Sequence, residues 1–258
     1  MRRSAVTALL AAALLAAPAT ASAHERTLFR ENFDHLPLGP VTAGPGWTTD
    51  ADGGSLTVEP SRTGHGRELH LRTTGNGRAF LVLPALNPPG NSFWVRLRVR
   101  VAEFPTAPDW AHWTIAEASG AGSPTLVRPL GGQYVPTSRA NFYGVGSDLG
   151  PTGDWTAWQT SAPAVAARWR CVEFHLDATD NRVTVYLDGV EQTALTVSTG
   201  HHGGAPGDFV FPDFTTLKLG WQLYQPDPAP AAYDVRLDDV AVSTRRLGSY
   251  QVSGRPAT

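Results

Sequence analysis

The 258 residues hold 21 Lys and Arg against 23 Asp and Glu. Without Arg2 and Arg3, which belong to a leader described below, 19 bases face 23 acids, a charge of −4. No generally basic, nucleic-acid-binding surface is expected from that balance. Cys171 is the only cysteine, which excludes an intrachain disulfide and leaves stability to a large core.

Arg2-Arg3, the short apolar run from Ala5 to Ala17 and the small-x-small site Ala21-Ser22-Ala23 make residues 1–23 an export signal, with the mature chain starting near His24. The apolar run falls short of the ~20 residues that cross a bilayer, and no comparable run follows, so no membrane partner is expected. Ser4-Ala5-Val6 lacks the continuation of a twin-arginine signal, and ordinary secretion to the extracellular space is the reading. Residues 24–258 show no linker or internal repeat and are expected to form one domain acting as a monomer.

Strand signals then follow one another without a helical stripe. Leu56-Thr57-Val58, Leu69-His70-Leu71 and Phe80-Leu81-Val82-Leu83 come first. Phe93 to Val101 alternates Phe, Val, Leu, Val and Val with Trp94 and three arginines, one face core and one face wet. Arg170 to Asp177 alternates in the same way, Thr179-Asp180-Asn181 turns the chain, and Val183 to Leu187 closes on Asp188-Gly189 as a hairpin. Leu217 to Trp221 and Val235 to Val240 complete the set, with loops at 84–92, 102–109, 146–168 and 198–213. Many strands and no helices imply an all-β fold, a two-sheet antiparallel β-sandwich.

Glu31-Asn32-Phe33-Asp34, Trp169 to His175 leading into Val185-Tyr186-Leu187-Asp188-Gly189, and Leu237 to Ser243 together resemble concanavalin-like carbohydrate-active proteins. Within that class His112 to Ala118, Val127 to Tyr134 and Gly220 to Tyr224 are similar to the secreted cellulose-induced proteins, relatives of the glucuronan lyases. The resemblance runs from about Glu31 to Leu247. It implies a jelly roll with a concave cleft that takes a polysaccharide, and one structural calcium ion. Glu31, Asp238 and Asp239 match the positions where such folds place that ion, at a seam of first and last strands. Strand alternation lets only one of the two aspartates give its side chain. His201-His202, beside Gly203-Gly204 and without a third ligand, reads as loop rather than as a transition-metal site.

Elimination on a uronic-acid polymer needs a base for the proton beside the carboxylate, neutralisation of that carboxylate, and an acid for the leaving oxygen. In the sequence reading His112 starts a strand, Arg128 ends the next one, and Gln133-Tyr134 opens the following loop. By resemblance His112 is the candidate base and Arg128 with Gln133 the carboxylate partners, while the acid lies among Tyr134, Tyr143 and Tyr224. Trp113, Tyr134, Asp148, Trp221 and Gln222 are the candidate substrate-binding residues. Other roles stay open: Arg128 paired with Asp148 or Asp154, His112 as a core histidine, and tyrosines that only pack. Trp110, Trp113, Trp155, Trp158 and Trp221 suit stacking on sugar rings and equally suit a core. The same residue types would serve a non-catalytic polysaccharide-binding module. A glycoside hydrolase would need two facing carboxylates, and Glu117 near His112 is its best candidate. Cys171 lies within a strand and no nucleophile elbow occurs, so nucleophilic catalysis is not indicated.

Overall fold

The computed structural model describes residues 27–62, 64–123, 125–148, 163–199 and 210–248. The export signal, His24, Asp154, Trp155, Trp158 and His201-His202 lie outside the described residues. The chain is all-β, an antiparallel jelly roll in which two short 3-10 turns, at 89–91 and 193–195, are the only helical elements among the described residues. In chain order the strands are β1 (Thr27–Glu31), β2 (Gly39–Pro40), β3 (Ala43–Gly44), β4 (Trp47–Pro60), β5 (Arg67–Leu83), β6 (Phe93–Val101) and β7 (His112–Ala121). They continue with β8 (Leu126–Val135), β9 (Ala140–Ser147), β10 (Arg170–Asp177), β11 (Arg182–Leu187), β12 (Val190–Glu191), β13 (Asp213–Leu223) and β14 (Ala232–Ser243).

The two layers are not separate sheets. One hydrogen-bonded path, β12-β11-β10-β6-β14-β5-β13-β7-β8-β9, curls from the first layer into the second. The turn is made by β5, which pairs β14 over Leu69 to Thr74 and β13 over Arg78 to Leu83. Leu69-His70-Leu71 and Phe80 to Leu83, which read as two strands, are therefore halves of one 17-residue strand bent between the layers. β4 follows it through the bend with a register shift between Asp52 and Gly54. Glycine is needed there because backbones nearly touch: a Cβ on Gly54 would lie 2.5 Å from the Arg78 carbonyl oxygen and 2.9 Å from that of Arg72.

Between the layers lies one apolar cluster fed by both, from Leu69, Val95, Phe174 and Leu237 on one side and Ile115, Val127, Leu217 and Trp221 on the other. β6 matches its expected alternation, with Phe93, Val95, Leu97, Val99 and Val101 buried and the residues between them only partly so. The β11–β12 turn places both Asp188 (φ 51°) and Gly189 (φ 86°) in the left-handed region, as the Asp-Gly pair predicts. β8 differs from its expected layout: it runs from Leu126 to Val135, so Arg128 stands near its start and Gln133-Tyr134 lie inside it.

Replacing Gly54 by Ala should cost about 1–3 kcal/mol, because the new methyl must displace backbone on both neighbouring turns of chain. Chemical denaturation of the variant beside the parent measures it, and equal stability would show that the bend can relax.

Candidate functional site

β7, β8 and β13 bring most of the polar candidates onto one face, the side turned away from the core. Directly opposed residues of neighbouring strands share a face. His112 pairs with Gln133, Thr114 with Gly131 and Gln222, and Gln222 with Arg78. Alternation puts His112 and Thr114 on the same side. Tyr224, just past β13, joins them by donating its hydroxyl hydrogen to Thr114 Oγ1 at 2.8 Å. Arg128 Nε donates to the Tyr224 oxygen at 2.9 Å, its guanidinium lies 5.0 Å from that ring, and Nη1 donates to the Ser147 carbonyl. The structure thus gathers His112, Arg128, Gln133, Gln222 and Tyr224.

Four other candidates belong to the opposite face. Trp113 and Trp221 stack on each other at 5.7 Å and 12°, and are 1% and 0% exposed, so neither indole is open to a sugar. Tyr143 packs edge-on against Trp113, and burial pushes its phenol up to about 12. Tyr134 is opposed to Asn141, whose side chain accepts the Trp113 Nε1 hydrogen. The physical reason is common to all four: each is one residue from a polar-face residue or its cross-strand partner, and successive side chains point to opposite sides. Asp148 stands elsewhere again. It accepts hydrogen bonds from Thr125 and from the Leu126 amide at the start of β8 and has no ion pair with Arg128.

The chemistry of the cluster follows from its hydrogen bonds. Gln133 is buried, and its amide nitrogen has no partner among the described residues. Arg128 carries no ion pair among the described residues. Burial raises the Tyr224 pKa above that of a free phenol, and the Arg128 guanidinium partly opposes the shift, so the hydroxyl is protonated at neutral pH.

His112 is fixed by Gln225, a residue that no motif pointed to. The His112 backbone N–H donates to Gln225 Oε1 at 2.5 Å, which turns the Gln225 amide nitrogen to His112 Nδ1 at 3.0 Å. An amide nitrogen only donates, so Nδ1 accepts and the neutral ring carries its hydrogen on Nε2. In this arrangement the Nδ1 lone pair of the neutral imidazole is engaged by Gln225.

Further along the face the charges are compensated. Arg78 pairs with Asp50 at 2.8 Å and Asp52 at 3.1 Å, and Lys218 pairs with Asp50 at 3.1 Å and Glu117 at 3.3 Å. Asp50 stays below the usual carboxylate range: burial, the largest influence, raises it, but Arg78 and Lys218 together outweigh that.

This fold has counterparts in solved structures. The fold resembles that of "Cellulose induced protein, Cip1". The two are 20% identical with a TM-score of 0.56, over 78% of this chain and 93% of that one. A structure titled as the alginate lyase Aly36B is similar over 86% of this chain and 98% of that one, at 11% identity and a TM-score of 0.51. No protein-family model and no curated protein sequence matches the chain.

The implied calcium site is gathered only in part. β1 pairs with β14 with Glu31 opposite Val240, beside the irregularity between Asp238 and Ala241. Glu31 Oε1 accepts the Phe33 amide at 2.7 Å and Oε2 accepts Trp47 Nε1 at 2.9 Å. Asp238 and Asp239 both face Arg98, at 3.6 and 3.8 Å. Burial, and then the Asp239 charge, push Asp238 up to about 7. Hard oxygen donors are present, yet no three acidic, histidine or cysteine side chains converge among the described residues. Any cation at this seam would complete its shell with backbone carbonyls.

Trp221→Ala should lower stability by about 3–5 kcal/mol, the cost of emptying a core site. An unchanged denaturation midpoint together with lost glycan affinity would instead give Trp221 a sugar-stacking role.

Proposed function

We propose that the protein is a secreted carbohydrate-active enzyme, a lyase that cleaves a uronic-acid-containing polysaccharide by β-elimination. One observation carries the reading. The guanidinium of Arg128, the unpartnered amide nitrogen of Gln133, the imidazole of His112 and the hydroxyl of Tyr224 lie on a single face. Likeness of fold to an alginate lyase supports it.

Charge-assisted donation by Arg128, with Gln133, neutralises the substrate carboxylate and stabilises the enolate-like charge that develops beside it. Tyr224 is the group placed for proton transfer. Its phenolate, stabilised by Arg128 Nε, takes the proton from the carbon next to the carboxylate. The electron pair forms the carbon–carbon double bond as the glycosidic carbon–oxygen bond breaks, and the phenol returns the proton to the departing oxygen. Hydrolysis fits less well. Asp50 and Glu117, the paired carboxylates of this face, are both tied to the Lys218 ammonium, and the Asp50 carboxyl is held below its ordinary range rather than kept protonated as an acid catalyst requires.

Tyr224→Phe should lower kcat by roughly a hundred- to ten-thousandfold on a cleavable uronate polymer, read as unsaturated product by absorbance. Because the phenol titrates above its ordinary value, kcat/KM of the parent should climb with pH from neutral into the alkaline range. An imidazole base would level off above about pH 6.5. A plateau there with Tyr224→Phe still active refutes the assignment, and glycan binding without product on any uronate polymer leaves a non-catalytic binding protein.

Calcium at the β1–β14 seam belongs to the same proposal. Chelation should lower the melting temperature, since an ion bound to the native state alone stabilises it; an unchanged melt and a metal-free protein by elemental analysis would remove the ion.

A further inference from the structure

We infer that the substrate is a heteropolysaccharide in which the reacting uronate is flanked, on the β5 side, by a neutral sugar. This rests on the lyase reading of the same face.

The polar face has two electrically different ends. At β8 stands Arg128, hydrogen-bonded to a phenol and a carbonyl and without an acid among the described residues. On the same strand and face stands Gln133, whose buried amide nitrogen has no partner among the described residues. A continuous row of directly opposed residues leads away from that end: Gly131, Thr114, Gln222, Arg78 and Asp52, on β8, β7, β13, β5 and β4. From β8 to β5 the row covers three strand spacings, about 14 Å at ~4.8 Å each, long enough for more than the reacting sugar.

At its far end both described cations are already paired. Arg78 gives Nε to Asp50 and Nη1 to Asp52, and Lys218 sits between Asp50 and Glu117. Among the described residues three carboxylates thus face two cations, so a second uronate placed here would meet a net negative charge with no unpaired guanidinium or ammonium among them to receive it. Hydroxyl groups would meet something different. Ion-paired carboxylates keep lone pairs to accept, and Arg78, Lys218 and Gln222 keep hydrogens to donate, which matches groups that both give and take hydrogen bonds. Arg78 is 38% and Asp52 73% exposed at the side chain, so this end is reachable. The carboxylate requirement is therefore local to the β8 end, and charge selects against a uronate homopolymer at the β5 end.

The test compares a homopolymer of one uronic acid with an alternating copolymer of the same acid and a neutral hexose, measuring kcat/KM from unsaturated product and Kd by calorimetry. The copolymer should be favoured by at least about tenfold in kcat/KM. Asp52→Asn, at an exposed position that need not disturb folding, should narrow that ratio by improving the homopolymer, and raised salt should narrow it as well. Equal or better cleavage of the homopolymer overturns the inference, as does a ratio that neither Asp52→Asn nor salt alters. If neither polymer is cleaved, the lyase reading fails by itself. The calorimetric comparison then decides: tighter binding of the copolymer sustains the neutral subsite, and equal or absent binding of both overturns it.

Discussion

The stacked indoles of Trp113 and Trp221 clamp β7 to β13 from the core side, and the site follows from that clamp. Phe104, Tyr143 and Tyr233 pack around the pair, which fixes both strands in translation and in rotation. A strand whose odd side chains are locked inward has no freedom left for its even ones. With Trp113 in the core, His112 and Thr114 must face the other way, and with Trp221 in the core, so must Gln222. These two indoles therefore do not touch a sugar in this fold. They hold the backbone that presents the polar groups, and the precision of the polar face is inherited from a packed apolar one.

Electrostatics divide the face along the same strands. Near β8 a guanidinium bears on a phenol and has no carboxylate partner among the described residues, while near β5 the described acids outnumber the bases and each cation lies between two of them. Asp50 is central to the second arrangement, accepting from Arg78 on its own β-ladder and from Lys218 two strands away. That bridging closes the β4–β5–β13 edge of the layer, so the compensated charges serve the sheet as well as a ligand. Arg128 has only neutral partners among the described residues.

Much of this was legible in the residues themselves. Phe93 to Val101 and Arg170 to Asp177 became strands with the expected buried faces, since alternation of apolar and polar residues states both the element and its orientation. The same rule, applied to His112-Trp113, Gln133-Tyr134 and Trp221-Gln222, separates each pair, because adjacent strand residues cannot both reach one cleft. Irregular register made other parts illegible. β7 shifts its pairing with β8 on either side of Ala116, and β13 shifts against β7 between Leu219 and Gln222. Which distant residues meet is set by those shifts. Gln225 reaches His112 across 113 residues, and Lys218 reaches Asp50 across 168, and neither neighbourhood leaves a motif in the chain.

Gln225 also shows how a neighbouring group decides what a site residue can do. A histidine in a polar cluster suggests a base, but its role depends on which ring nitrogen carries the hydrogen. Here a backbone N–H, which must donate, claims the amide oxygen of Gln225 and leaves only the amide nitrogen for Nδ1. The Tyr224 amide in turn donates to the His112 carbonyl at 3.2 Å, so the segment carrying Gln225 is pinned to β7 by backbone as well as side chain. Reversing the imidazole would require the glutamine to turn and the His112 amide to face another donor, at the cost of an unsatisfied polar group, about 1–3 kcal/mol. Gln133 already bears a cost of that kind in the resting protein, through its buried amide nitrogen. A substrate carboxylate arriving between Arg128 and Gln133 would satisfy that donor and the guanidinium together. On the proposed reading, filling the face would relieve that cost.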